Sequence, residues 1–152
     1  MNNKYYCVSG IVKIDGKILF VRHTYGMAKD KILIPGGFVK EGEMPDVAVE
    51  REIFEETGVR AKVNSVFSIQ FKPSQWCVIF TMDYVSGTPQ SDNAENSEVL
   101  LLTAEEAVMR EDITNLSKEI MKKYIADKNS VLSKSDYVAK NAVEGEYMIF
   151  GV

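Results

Sequence analysis

Three glutamates crowd one face of a single short helix, and nothing else in the chain restricts its fold and chemistry so tightly. A glycine turn at Gly36-Gly37 and an isolated Glu43 precede a segment that packs Arg51, Glu52, Glu55 and Glu56 into six positions. Pro45 suits the first turn of a helix and Gly58 the position just past its end, so the helix spans about residues 45–57. Glu55 and Glu56 follow Glu52 at i+3 and i+4, which places the three carboxylates within roughly a 100° arc. Like charges at these spacings cost about 0.2–0.5 kcal/mol per pair. A hard divalent cation is the partner that reverses this cost, and oxygen-only ligands suit Mg²⁺ or Mn²⁺.

The remainder of the chain sets the frame. Its 152 residues suit one domain with a real core, and 45% hydrophobic with 26% charged residues is globular composition. A net charge of −4 supplies no basic field for a nucleic-acid backbone, so nucleic acid is not the expected partner. The N-terminus lacks an apolar signal core and no run reaches membrane-spanning length, which predicts a cytoplasmic protein without a membrane partner. Cys7 and Cys77 both fall in strand-like stretches and read as buried reduced thiols.

Residues 5–14 and 17–23 are β-rich, and Asp15-Gly16 between them is a two-residue hairpin signal. Ile32-Leu33-Ile34 reads as a short strand stopped by Pro35-Gly36-Gly37. β-Rich stretches at about 61–72 and 76–86 flank a break at Pro73-Ser74, and the polar, acidic residues 88–97 read as a surface loop. A strand over 97–102 leads into the capping box Thr103-Ala104-Glu105-Glu106, which opens a helix to about Arg110. Ile113, Leu116, Ile120, Met121 and Tyr124 keep helical spacing, predicting an amphipathic helix over 113–126. Propensity alone gives an α+β chain.

The 37–59 stretch resembles the Nudix box, Gly-x5-Glu-x7-Arg-Glu-U-x-Glu-Glu-x-Gly-U with U aliphatic. Gly37, Glu43, Arg51, Glu52, Ile53, Glu55, Glu56, Gly58 and Val59 fill every specified position. At roughly one in twenty for each non-aliphatic residue, a chance match is on the order of one in a billion per starting position. Ile34-Pro35-Gly36-Gly37 also looks like the usual entry to that box. The resemblance implies an α/β/α sandwich around a mixed sheet, covering residues 1–126, with 127–152 as a C-terminal extension of the same domain. Within that extension Tyr147–Phe150 suits an edge strand, a lid or a contact in a homodimer, and the residues do not choose among them.

The resemblance also implies an activity: hydrolysis of a nucleoside diphosphate linked to a second group. A metal ion neutralises phosphate oxygens, activates water and orients the leaving group. Glu52, Glu55 and Glu56 are the implied ligands, joined by the backbone carbonyl of Gly36. Glu52 or a glutamate outside the box is the implied general base. Arg51 suits a planar, bidentate pairing with Glu43 or Glu55 that ties the loop to the helix; Gly37, Glu43 and Gly58 read as structural. Asp92, Glu95 and Glu98 are candidates for a further acidic ligand or base, and Arg22 for a phosphate contact. Phe71 and Trp76 are candidates to stack on a base, while the lone His23 reads as an ordinary loop residue. Pro73 lies near the place of a proline in family members that cleave ADP-ribose, which favours a nucleotide sugar. A nucleoside triphosphate is the competing substrate, and a nucleotide-sensing module without catalysis is the alternative from another class.

Overall fold

The computed structural model describes residues 4–152. Strand β1 (Tyr5–Ile14) turns back into β2 (Lys17–His23) through Asp15 and Gly16, whose φ values of 49° and 80° are what a two-residue hairpin demands. After β3 (Ile32–Leu33) and β4 (Gly36–Phe38) comes helix α1 (Pro45–Thr57). Next is a long antiparallel hairpin of β5 (Arg60–Phe71) and β6 (Gln75–Ser86), with Pro73 in its turn. Strand β7 (Asn96–Leu102), helices α2 (Ala104–Val108) and α3 (Asn115–Asp127), and strand β8 (Leu132–Ser133) complete the order. The strands make one mixed sheet in the order β3-β2-β1-β6-β5-β8, with β4 on β1 and β7 on β2. β1 and β6 run parallel; the other strand pairs are antiparallel.

Alternation along the strands explains the layers. Val8 and Val12 of β1, Leu19 of β2 and Phe80 of β6 pack beneath Ala48, Val49 and Ile53 of α1. Their neighbours Ile11, Ile18, Phe20 and Ile79 face the opposite way and pack with Ala107, Ile120 and Met121 of α2 and α3. The sheet is therefore buried on both faces, an α/β/α sandwich, which is why β2 is a nearly unbroken apolar run. Val49 and Ile53 are fully buried, and burying each such side chain contributes about 1.5–3 kcal/mol. That outweighs the like-charge repulsion on the other face of α1, so packing holds the helix and leaves its acidic face free for chemistry.

The structure corrects several local expectations. Gly36 and Gly37 do not turn the chain; they form β4, pairing with Ser9 and Val8 of β1. Neither has a positive φ. A Cβ on Gly36 would overlap the Val8 carbonyl, and one on Gly37 would overlap the Glu52 carboxyl group. Glycine is required here for close approach and not for backbone angle. Helix α2 ends at Val108, short of Arg110, and α3 begins at Asn115 with Thr114 as its cap. Ile113, counted above in the helical pattern, instead bridges Ile32 outside the sheet, which places it in the core before the helix starts. In the C-terminal segment the edge strand is Leu132–Ser133 against β5, and Phe150 bridges Lys134 and packs its ring on Phe80. Gly58, at φ 72°, closes α1 through its amide on the Phe54 carbonyl.

Candidate active site

Helix α1 projects Glu52 and Glu56 from one face, and a loop far away in sequence delivers Glu95 between them. One carboxylate oxygen from each of the three lies within 4.8 Å of the other two. Glu56 is 3% exposed, and its Oε2 has no hydrogen-bond partner among the described residues. Burial, reinforced by repulsion from Glu52, Glu95 and Asp92, pushes its pKa up to about 8, against a smaller pull from the Gly36 amide. Burial likewise raises Glu52, opposed by the hydrogen bond from Arg51.

Arg51 fixes the corner where the β4–α1 loop meets the helix. Its guanidinium takes Glu43 in a bidentate grip, Nε to Oε1 at 2.7 Å and Nη2 to Oε2 at 2.9 Å. Nη1 donates to Glu52 at 2.7 Å and to Glu55 at 3.1 Å, and Nη2 also reaches the Phe38 carbonyl at 3.1 Å. The hydrogen bond from Arg51 holds Glu43 far below the usual carboxylate range, at about 2. Glu52 thus has one oxygen on Arg51 and its carboxyl group against Gly37, so glycine and arginine together set its position.

The loop that carries Glu95 is folded on itself, not the plain solvated loop its composition suggests. Asp92 Oδ1 accepts from the amides of Ala94 and Asn96 at 2.9 and 3.1 Å. Thr24 Oγ1 donates to the Ala94 and Glu95 carbonyls at 2.7 and 3.1 Å. Asn96, fully buried, sends Nδ2 to the Glu56 backbone carbonyl at 2.8 Å, stitching the loop to the end of α1. Sequence reasoning missed Asn96. Its only signal is a polar residue opening a strand, and its partner is 40 residues away.

A profile of the NUDIX domain matches residues 6–124. The chain belongs to the Nudix hydrolase family. It is 32% identical over 135 residues to an ADP-ribose pyrophosphatase of Methanocaldococcus jannaschii, covering 80% of this chain and 73% of that protein. It is 28% identical to a MutT-like protein of Streptomyces ambofaciens, over 66% of this chain and 64% of the relative. A NAD-capped RNA hydrolase of Photobacterium profundum shares 33% identity over 66% of this chain and 38% of its own length. Among solved structures, a Nudix hydrolase from Nitrosomonas europaea superposes with a TM-score of 0.76 at 21% identity, covering 84% of this chain and 73% of its own.

Within this Nudix site the expected residues divide. Glu52, Glu56 and Glu95 come together; Glu55, its side chain 53% exposed, lies about 100° around the helix from Glu56 and on the outer side of Arg51. Asp92 spends an oxygen on capping its own loop, and Glu98 pairs with Arg22 at 2.9 Å. Arg22 also donates to Asp112 and to the Asp30 carbonyl, both at 2.9 Å. Its guanidinium is thus engaged by two carboxylates and a carbonyl, an arrangement that braces β2, β7 and the α2–α3 connection. Phe71 and Trp76 meet edge to face at 5.3 Å beside the β5–β6 turn, with Tyr6 edge-on to Trp76 and the Lys4 ammonium over its ring. Tyr25, unremarked in the sequence, stacks on His23 at 5.2 Å, and Glu95, Glu56 and Glu52 all add to the burial that raises its phenol. It stands at the rim of the acidic group.

A divalent cation fits this donor set. All three oxygens are hard ligands at a span one ion can bridge. The buried, unpartnered Glu56 Oε2 is a group that folding leaves costly unless a cation or proton meets it.

Proposed function

We propose that this protein is a Mg²⁺- or Mn²⁺-dependent hydrolase that cleaves the diphosphate bridge of a nucleoside diphosphate linked to another group, ADP-ribose or a related nucleotide sugar. The observation that carries the reading is the convergence of Glu52, Glu56 and Glu95 around the orphaned oxygen of Glu56. These three would hold the cation, with the Gly36 carbonyl as a further ligand and Glu55 at the outer edge. When bound, the cation neutralises charge on the diphosphate and lowers the cost of bringing a nucleophilic oxygen to it. Arg51 keeps Glu52 in place, and Asn96 and Thr24 keep Glu95 in place. Glu95, the exposed member of the group, orients the attacking water and accepts its proton. Glu56, which its buried surroundings keep protonated, would have to lose that proton for a cation to be held there.

The substrate class rests on the pyrophosphatase relative, similar over most of both chains. Pro73 adds little to it, since the β5–β6 turn accounts for a proline there. Phe71, Trp76 and Tyr25 are among the exposed aromatic side chains and would offer their faces to a base. The likeness to a MutT-like protein favours a second reading, in which a nucleoside triphosphate is cut to a monophosphate and pyrophosphate. Comparing kcat/KM for ADP-ribose, other nucleotide sugars and the triphosphates in Mg²⁺ decides between them. ADP-ribose or a related nucleotide sugar is expected to give the highest ratio; a triphosphate giving it reverses the assignment of substrate. No turnover of any of them, with or without metal, refutes the hydrolytic reading.

A further inference from the structure

Cys7 and Cys77 are the chain's two cysteines, and the fold sets them side by side. They are direct register partners on the parallel strands β1 and β6, so both side chains leave the same face of the sheet. Adjacent strands lie about 4.8 Å apart, within the 4.4–6.8 Å range of Cα separations that a disulfide spans. The two thiols are close enough for each to shift the other's titration. Their surroundings differ in a way that assigns each a role. Cys7 is half-buried and therefore reachable, while Cys77 is 6% exposed. The neighbouring Cys77 thiol favours the Cys7 thiolate most, and Gln75, whose Nε2 donates to Cys7 Sγ at 3.4 Å, and the Lys72 charge favour it too. Cys77 is pushed the other way by the neighbouring Cys7 sulfur and by burial.

We propose that Cys7 and Cys77 form an oxidisable dithiol, Cys7 being attacked first by a hydroperoxide and Cys77 resolving it to an intramolecular disulfide. In the first step the Cys7 thiolate attacks one oxygen of hydrogen peroxide, the O–O bond breaks, an S–OH group forms, and the departing hydroxide takes up the proton that Cys7 lost and leaves as water. In the second, Cys77 sulfur attacks Cys7 sulfur, the S–O bond breaks, and the hydroxide leaves with the Cys77 proton as a second water. Two electrons pass from the two sulfurs to the peroxide. The bond ties β1 to β6 beside Val8, whose partner across β1 and β4 is Gly37, the residue against the Glu52 carboxyl group. The site lies outside the carboxylate group, and its formation does not depend on the proposed reaction.

The test is peroxide treatment of the full chain, read by intact mass and by counting alkylated thiols before and after reduction. The wild type is expected to lose two hydrogens and both alkylatable thiols, remain monomeric on non-reducing gels, and regain both thiols with dithiothreitol. Cys77→Ser, or Cys77→Ala if the buried hydroxyl disturbs folding, is expected to stop at a Cys7 sulfenic acid that dimedone traps. Cys7→Ser is expected to leave Cys77 alkylatable and unoxidised under the same dose. Retention of both thiols in the wild type overturns the proposal. So does dimedone labelling of wild-type Cys7 equal to that of Cys77→Ser, or a disulfide linking two chains.

Discussion

Replacing Glu56 by glutamine tests the electrostatics of the site more sharply than any change in rate. Glutamine has the shape of a protonated glutamate, so the substitution freezes the neutral form without opening a cavity. In the absence of cation, the Glu56 carboxyl titrates at about 8 in the folded protein against an ordinary value of 4.5. The folded state therefore binds more protons than the unfolded state across that window. Stability present below pH 4.5 is lost progressively as pH rises towards 8. At pH 7 the difference is 2.5 pH units above the ordinary value, or about 3 kcal/mol at 1.36 kcal/mol per unit. In EDTA, Glu56→Gln is thus expected to match the wild type near pH 4.5. At pH 7 it should be more stable by about 3 kcal/mol, roughly 6–12 °C in Tm for a chain of this size. Mg²⁺ reverses the order, because only the wild type gains a ligand charge on binding. Thermal melts at pH 4.5, 6, 7 and 8, each in EDTA and in excess Mg²⁺, give the answer. Parallel pH dependence of the two proteins in EDTA refutes the buried-carboxyl argument, and an equal Mg²⁺-induced rise in both refutes Glu56 as a ligand.

Three further outcomes follow from the same geometry. Arg51→Ala strips the charge partner from Glu43 and Glu52, whose side chains are only 11% and 13% exposed, and is expected to cost about 3–5 kcal/mol by urea denaturation. It should also flatten the acid limb of stability: the Glu43 contribution, present above pH 4.5 and lost as pH falls towards 2 in the wild type, disappears. Unchanged stability places Arg51 in a different role. Glu95→Gln should lower kcat by about tenfold or more, as loss of a catalytic carboxylate does, whereas Glu98→Gln, which only releases Arg22, should keep kcat and Mg²⁺ affinity within about twofold; steady-state kinetics with a Mg²⁺ titration separate them. Gly37→Ala should cost about 1–3 kcal/mol and weaken Mg²⁺ binding by pushing the Glu52 carboxyl group aside, and Mg²⁺ affinity equal to wild type, measured by calorimetry, removes that contact from the site's design.

Much of this protein was legible without coordinates, because its key instructions are local. Asp15-Gly16 specifies a hairpin through positive φ, Pro45 and Gly58 bracket α1, and Thr103 with Glu106 caps α2, each by interactions within a few residues. The carboxylates on α1 are legible for the same reason, since helical periodicity alone puts Glu52 and Glu56 on one face. What sequence could not rank was anything dependent on a partner distant in the chain. Asp92, Glu95 and Glu98 are equivalent by composition, yet register across β2 and β7 assigns Glu98 to Arg22, local capping claims Asp92, and the buried Asn96 turns Glu95 towards Glu56. Gly36 and Gly37 read as a turn because glycine signals turns statistically. Only the tertiary structure shows that the missing Cβ atoms make room for β1 and for Glu52. Burial decided the rest: periodicity supplies the carboxylates, but only the tertiary fold, with Asn96 tying the 92–96 loop to the end of α1, leaves the Glu56 carboxyl group out of water and one of its oxygens unpartnered.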